Sequence, residues 1–175
     1  MPEDARTKCL LTDAEIRTIQ EMRLCQPLNP NSEVHLRPLS ELAGMQRVRL
    51  TLGRIAPGKE SFAYHAHDAD EEFLYILSGR GRAEIGDATV EVGPGDFMGF
   101  ATLSVAHHLT NPYAEDLVYL MGGERSRVEI SSFPRAGKRI IFSAGGIWQV
   151  DEKHLEPMSL DQWLSDESRD GDSNG

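Results

Sequence analysis

Two histidines one residue apart, His65 and His67, stand just ahead of an acidic run containing Asp68, Asp70, Glu71 and Glu72. On a strand, residues i and i+2 share a face, so both imidazoles project the same way. The acidic run leads straight into the apolar segment Phe73-Leu74-Tyr75-Ile76-Leu77. A carboxylate at the mouth of such a strand can point inward beside the histidines. Further along, His107 and His108 precede Asn111. Neighbours on a strand face opposite ways, so only one of that pair can join a common site. Three imidazoles and a carboxylate form a mixed nitrogen and oxygen donor set. It suits one divalent transition metal (zinc, iron, manganese, nickel or copper) and leaves coordination positions for water or substrate. The excess of nitrogen donors disfavours calcium and magnesium.

The two stretches resemble the paired motifs of the cupin superfamily. The first motif is a glycine, a spacer, H-x-H, three or four residues, Glu, six residues and Gly. His65, His67, Glu72 and Gly79 match it, and the spacing to Gly79 selects Glu72 over Glu71. The second is a glycine, a spacer, P-x-G-x-x-H, three residues and Asn. Gly95, His107 and Asn111 match it, with Thr102 in place of proline and Ser104 in place of glycine. The spacers after Gly58 and Gly95 are each one residue longer than the common pattern. These departures alter a turn and leave the ligand types intact. The resemblance spans roughly residues 47–125. It implies an all-β fold, a double-stranded β-helix or jelly-roll barrel, with a metal ion near one mouth held by His65, His67, Glu72 and His107. It also implies a homodimer, and it leaves His108 as a surface or packing histidine, one that an oligomer contact would suit.

The elements that must position these side chains are legible as short strands. Val48, Leu50 and Leu52 alternate with Arg49 and Thr51, a period of two. Further strand-like runs are 73–77, 82–92, 96–100, 117–121, 128–133 and 139–143. Turn formers separate them: Ala56-Pro57-Gly58, Ser78-Gly79-Arg80-Gly81, Gly86-Asp87, Gly93-Pro94-Gly95-Asp96 and Asn111-Pro112. Glycines 58, 79, 81, 86, 93 and 95 suit turns needing positive φ. Many short strands with such turns predict a sandwich or barrel rather than a βαβ fold. By parity Leu74 and Ile76 face inward with Glu72, giving an apolar pocket floor, while Tyr64 and Tyr75 fall out of phase. Phe97, Met98 and Phe100 can serve the pocket wall or the outer core. Runs 128–141 and 35–42 read as sheet edges needing cover.

Ahead of the barrel, residues 1–46 form an extension with one short helix predicted over 12–24. Thr12 and Glu15 have capping-box spacing, and Leu11, Ile16 and Ile19 make an apolar stripe. Pro27 and Pro30 end it. The barrel takes 47–150. The remainder, 151–175, is read as a tail, with one amphipathic turn over 159–164 and a polar, acidic, disordered end.

Composition narrows the function classes. The 175 residues suit one soluble domain, and no run approaches a membrane span. No basic segment followed by an apolar one marks a signal peptide, so a cytoplasmic setting is expected. A formal net charge of -10 with no basic cluster argues against nucleic acid and anionic membranes. Cys9 and Cys25 make no framework and no C-x-x-C, so they are expected to stay reduced. No G-x-S-x-G is present, and G-R-G-R-A-E-I-G is no phosphate loop, because no helix follows. One N-terminal helix is too little for a helix-turn-helix regulator. What remains is a metal-dependent enzyme acting on a small molecule, of oxygenase, isomerase or lyase type, or a cupin that binds metal and a small ligand without turnover. A small-molecule substrate or ligand is the expected partner in either case.

Overall fold

The computed structural model describes residues 9–160. Thirteen strands run through it: β1 Met22–Leu24, β2 Val34–Pro38, β3 Val48–Ile55, β4 Ala66–His67, β5 Glu72–Ser78, β6 Gly81–Ile85, β7 Ala88–Val92, β8 Phe97–Phe100, β9 His107–Thr110, β10 Leu117–Glu124, β11 Val128–Phe133, β12 Lys138–Ser143 and β13 Gly146–Asp151. They form a six-stranded sheet ordered β1-β2-β3-β10-β5-β8, a four-stranded sheet β13-β12-β11-β4, and a three-stranded sheet β7-β6-β9. All the ladders are antiparallel. Among the described residues the three sheets do not close into one continuous ladder. Single bridges, His65 to His107 and Glu60 to Thr110, carry the pairing onward from β9.

Alternation explains the core. In β5, Leu74 and Ile76 are buried while Tyr75 and Leu77 are exposed, as the parity required. In β8 the same rule settles the aromatic question: Met98 and Phe100 turn inward and Phe97 outward, where it stacks on Phe73. One apolar cluster joins Val34, Ile55, Ile76 and Tyr119 of the large sheet to Ala83, Val92 and Leu109 of the three-stranded sheet. These two sheets therefore share a core, with β4 and β11 beside it. Gly79 lies at φ +75, and a Cβ there would come within 2.1 Å of the Asp116 carbonyl oxygen. The β5–β6 turn thus demands glycine twice over. Gly58, Gly86 and Gly95 also have positive φ, whereas Gly81 and Gly93 do not, contrary to expectation. Gly81 is needed for space instead, since a Cβ would meet Leu117 at 2.5 Å.

The N-terminal extension departs from its prediction. The capping box of Thr12 and Glu15 is present, but the helix spans only Asp13–Thr18. Ile19 is extended, and its carbonyl accepts from Arg37 Nε at 2.9 Å. Residues 22–24, expected as helix, pair with β2. A six-residue helix is marginal on its own, so sheet pairing wins. Glu21 secures the segment, accepting from Arg54 at 2.6 Å with Arg37 at 3.2 Å. The expected edges also change. β2 is flanked by β1 and β3, and β11 and β12 are both flanked, so the ends of these two sheets are β1, β8, β13 and β4, while Leu39–Leu42 forms a short helix. The expected C-terminal turn and tail lie, from residue 161 on, outside the described residues. No described helix is long and apolar enough to cross a membrane.

Candidate metal centre

His65 and His67 reach one face because the chain is extended there. His65 exchanges backbone hydrogen bonds with His107 (3.1 and 2.8 Å), and Ala66–His67 pairs with β11. Glu72 opens β5, opposite Phe100 of β8 and Gly123 of β10. His107 opens β9. One donor atom from each of His65, His67, Glu72 and His107 lies within 4.8 Å of the other three. The four side chains named from the sequence therefore converge. Ligand bonds of about 2.1 Å put donors up to ~4.2 Å apart around one ion, so the set is within an ångström of ligating distance.

The hydrogen bonds fix which nitrogens face the centre. His65 Nδ1 donates to the Ala63 carbonyl at 2.8 Å, since a carbonyl can only accept. His67 Nδ1 donates to Glu129 Oε1 at 3.0 Å. Each ring is thereby held as the Nδ1–H tautomer with the Nε2 lone pair directed elsewhere. His67 Nε2 is buried and without a hydrogen bond, 3.4 Å from Glu72 Oε2. An orphaned buried lone pair beside a carboxylate is what a cation would satisfy. His107 Nε2 meets the same Glu72 oxygen at 2.9 Å, and its ring stacks on Phe100 with centroids 3.7 Å apart. The His65 ring stacks on Phe133. The donor set fits a transition metal.

Electrostatics favour a neutral His65 and an ionised Glu72. Burial, then the neighbouring His107, pushes His65 down to about 3. Burial pulls His67 down too, but the nearby carboxylates of Glu72 and Glu129 outweigh it and raise the pKa. Burial would raise Glu72, yet the hydrogen bond from His107 and the adjacent His67 ring prevail and hold it far below the usual carboxylate range. Glu72 therefore stays ionised as a ligand must.

Two residues that occupy no defining motif position, Glu129 and Asp70, complete the surroundings. Glu129 is 5% exposed. Besides His67, its carboxylate accepts from the amides of Ala69 at 2.9 Å and Asp70 at 2.8 Å. The sequence signal was parity: in β11, Glu129 falls in phase with buried Ser131 and Phe133. Asp70, 2% exposed, takes the Arg49 guanidinium at 2.5 Å and the Ser126 amide at 2.8 Å. His108 is a packing histidine, not a surface one. It is buried with Nε2 3.4 Å from Glu60 and Nδ1 3.7 Å from Glu84. Asn111 is fully buried and holds a turn, donating to the carbonyls of Ile55 (2.9 Å) and Glu115 (2.7 Å).

A cavity of about 820 Å³ opens over the centre. That is ample for a small metabolite. His65, His67 and Glu72 lie in its floor, with Phe62, Met121 and Phe133 as apolar wall. Arg49, Arg125 and Arg127 line it too, as do Glu41, Asp70, Glu71 and Glu129. Glu41 meets Arg125, Asp70 meets Arg49, and Glu72 and Glu129 meet histidines. Among the described carboxylates of this cavity, only Glu71 has no cationic or histidine partner within 4 Å.

Comparison with known proteins points the same way. The family described as "Cupin domain" matches residues 51–123. No curated protein matches significantly. Among solved structures, a protein from Acidithiobacillus ferrooxidans provisionally named a sugar phosphate isomerase is 32% identical, with 88% of this chain and 99% of that one covered and a TM-score of 0.84. A sugar phosphate isomerase of the cupin superfamily from Silicibacter pomeroyi is 19% identical over 87% of this chain and 98% of that one, with a TM-score of 0.74. The second likeness is one of fold.

Proposed function

From the premise that the chain belongs to the cupin superfamily, we propose that it is a metal-dependent isomerase that interconverts the aldose and ketose forms of a small phosphorylated sugar. The three sheets are read as the walls of one jelly-roll barrel, and His65, His67, Glu72 and His107 as the ligands of one divalent transition metal. The observation that carries the reading is the meeting, in one cavity, of three members of this donor set, His65, His67 and Glu72, with an unpaired carboxylate, Glu71. The substrate class rests on the likeness to the Acidithiobacillus ferrooxidans protein.

A divalent cation bound there would supply Lewis acidity toward the sugar's carbonyl and hydroxyl oxygens. The chain's own groups do the rest. Aldose–ketose exchange moves one proton from the hydroxyl-bearing carbon to the carbonyl carbon and a second from the hydroxyl oxygen to the carbonyl oxygen, the latter passing through solvent in the open cavity. Glu71 takes the carbon-bound proton on its carboxylate, exchanges it with solvent because the side chain is exposed, and delivers a proton to the former carbonyl carbon, so nothing is consumed. Glu129 keeps His67 in its tautomer and orientation. Phe62, Met121 and Phe133 limit water at the reacting carbons.

The test is incubation of the metal-replete protein with aldose phosphates in D2O. Ketose phosphate should form with one solvent deuteron at the exchanged carbon. Glu71→Gln should lower kcat by roughly 100-fold or more with metal content unchanged, the range expected for loss of a general base. Absence of both ketose and exchange across four- to six-carbon substrates would overturn the reading.

A further inference from the structure

The cavity is lined by three arginines, and they are gathered at one place. Arg49 belongs to β3, while Arg125 and Arg127 lie in the loop between β10 and β11. All three line the cavity. Buried Asp70 ties them together: it accepts from the Arg49 guanidinium and from the backbone amide of Ser126, the residue between the other two. The Arg125 amide donates to the Arg47 carbonyl at 3.0 Å, and Ser126 Oγ to the Ala69 carbonyl at 3.4 Å. The loop is therefore fixed to the segment that carries His67 and Glu72.

Their charges are unequally spent. Arg49 is committed, its Nε donating to the Glu124 carbonyl at 3.1 Å and its other nitrogen to Asp70. Arg125 has only a long 3.8 Å approach to Glu41, both groups being exposed. Arg127 has no carboxylate within 4 Å among the described residues, Glu71 included. A guanidinium that faces a cavity without a carboxylate, beside a second weakly engaged one, is a fork for a dianion.

We infer that Arg125 and Arg127 bind the phosphoryl group of the substrate, with Arg49 and Asp70 as positioning residues that fix their loop. This rests on the isomerase reading for the substrate class and adds the residues that recognise its anionic end. The same oxygens on a free phosphate ion satisfy the same fork, so the test separates the two.

The experiment is calorimetric titration of the metal-replete protein with ribose 5-phosphate, ribose and inorganic phosphate. Ribose 5-phosphate should bind at least tenfold more tightly than either ribose or phosphate. Arg125→Gln and Arg127→Gln should each weaken it about tenfold, the scale of one lost charge-assisted contact. The double variant should bind ribose 5-phosphate no better than ribose, and Arg127→Lys should retain part of the preference. Metal content and Tm are measured in every variant, so that a folding defect is seen as such. A double variant that is folded, metal-replete and still prefers ribose 5-phosphate would overturn the inference, as would a wild type that favours free phosphate. An arginine-dependent preference without isomerisation upholds this site and sinks the isomerase reading. Turnover with no preference for the phosphorylated sugar does the reverse.

Discussion

Glu129 shows how a residue that touches no substrate can control a metal centre. Its carboxylate receives His67 Nδ1–H and two backbone amides, so it is held from both sides and holds the ring in turn. Replacing it with Gln keeps an acceptor but removes the charge that favours the Nδ1–H tautomer. Metal affinity of Glu129→Gln should fall 10–100-fold, read by competition with a chelator of known affinity, and an unchanged affinity would contradict the role given to it. His65 makes a second prediction through pH. Its pKa is about 3 in the folded metal-free protein because of burial and His107, against about 6.5 when unfolded. Between those values the unfolded chain binds more protons, so the stability His65 contributes is full above about pH 6.5 and is lost as pH falls toward 3. His67, with a raised pKa, acts in the opposite sense. In chelator-treated protein the Tm drop from pH 7.5 to pH 5 should be smaller for His65→Gln than for wild type, and an equal or larger drop would refute this origin. At this scale the sequence was most legible. Motif spacing identified His65, His67, Glu72 and His107, all of which converge. It could not identify Glu129, because one acidic residue in an alternating strand reads as solvent-facing until the strand's buried side is known.

The turn between β5 and β6 is where element geometry is least negotiable. Gly79→Ala would place a Cβ in the left-handed region and against the Asp116 carbonyl. It should destabilise the protein by about 2 kcal/mol or more, the upper part of the range for such strain, measured by urea unfolding. A loss under about 0.5 kcal/mol would show that the turn relaxes. Strand alternation was readable wherever one face is buried, as in β5 and β8, since a period of two leaves a strong trace. It failed where context decided. The helix predicted over 12–24 stops at Thr18 because Arg37 claims Ile19 and residues 22–24 find β2. The supposed edge 35–42 divides into β2, covered by β1, and a short helix at Leu39–Leu42, while 128–141 gained partners from β13 and β4; these covering strands are short or glycine-flanked, with little periodic signal.

Across the whole molecule, function depends on contacts that span the chain. Asp70 joins β3 to the loop before β11, and Glu129 joins that strand to His67. The cavity is built from segments as distant as Met22 and Ile147. Such long-range closure has no local signature, so the sequence announced the four candidate ligands but not the cavity, its arginines or the unpaired Glu71. A net charge of -10 gives no hint that three arginines gather at one cavity, because a total says nothing of placement. The measurement that bears most directly on all of this is metal content by elemental analysis of the purified protein beside His67→Ala and His107→Ala. The account predicts close to one equivalent of a divalent transition metal per wild-type chain and little in folded samples of either variant. Equal metal in all three, or none in wild type even after exposure to zinc, iron, manganese, nickel and copper, would contradict it.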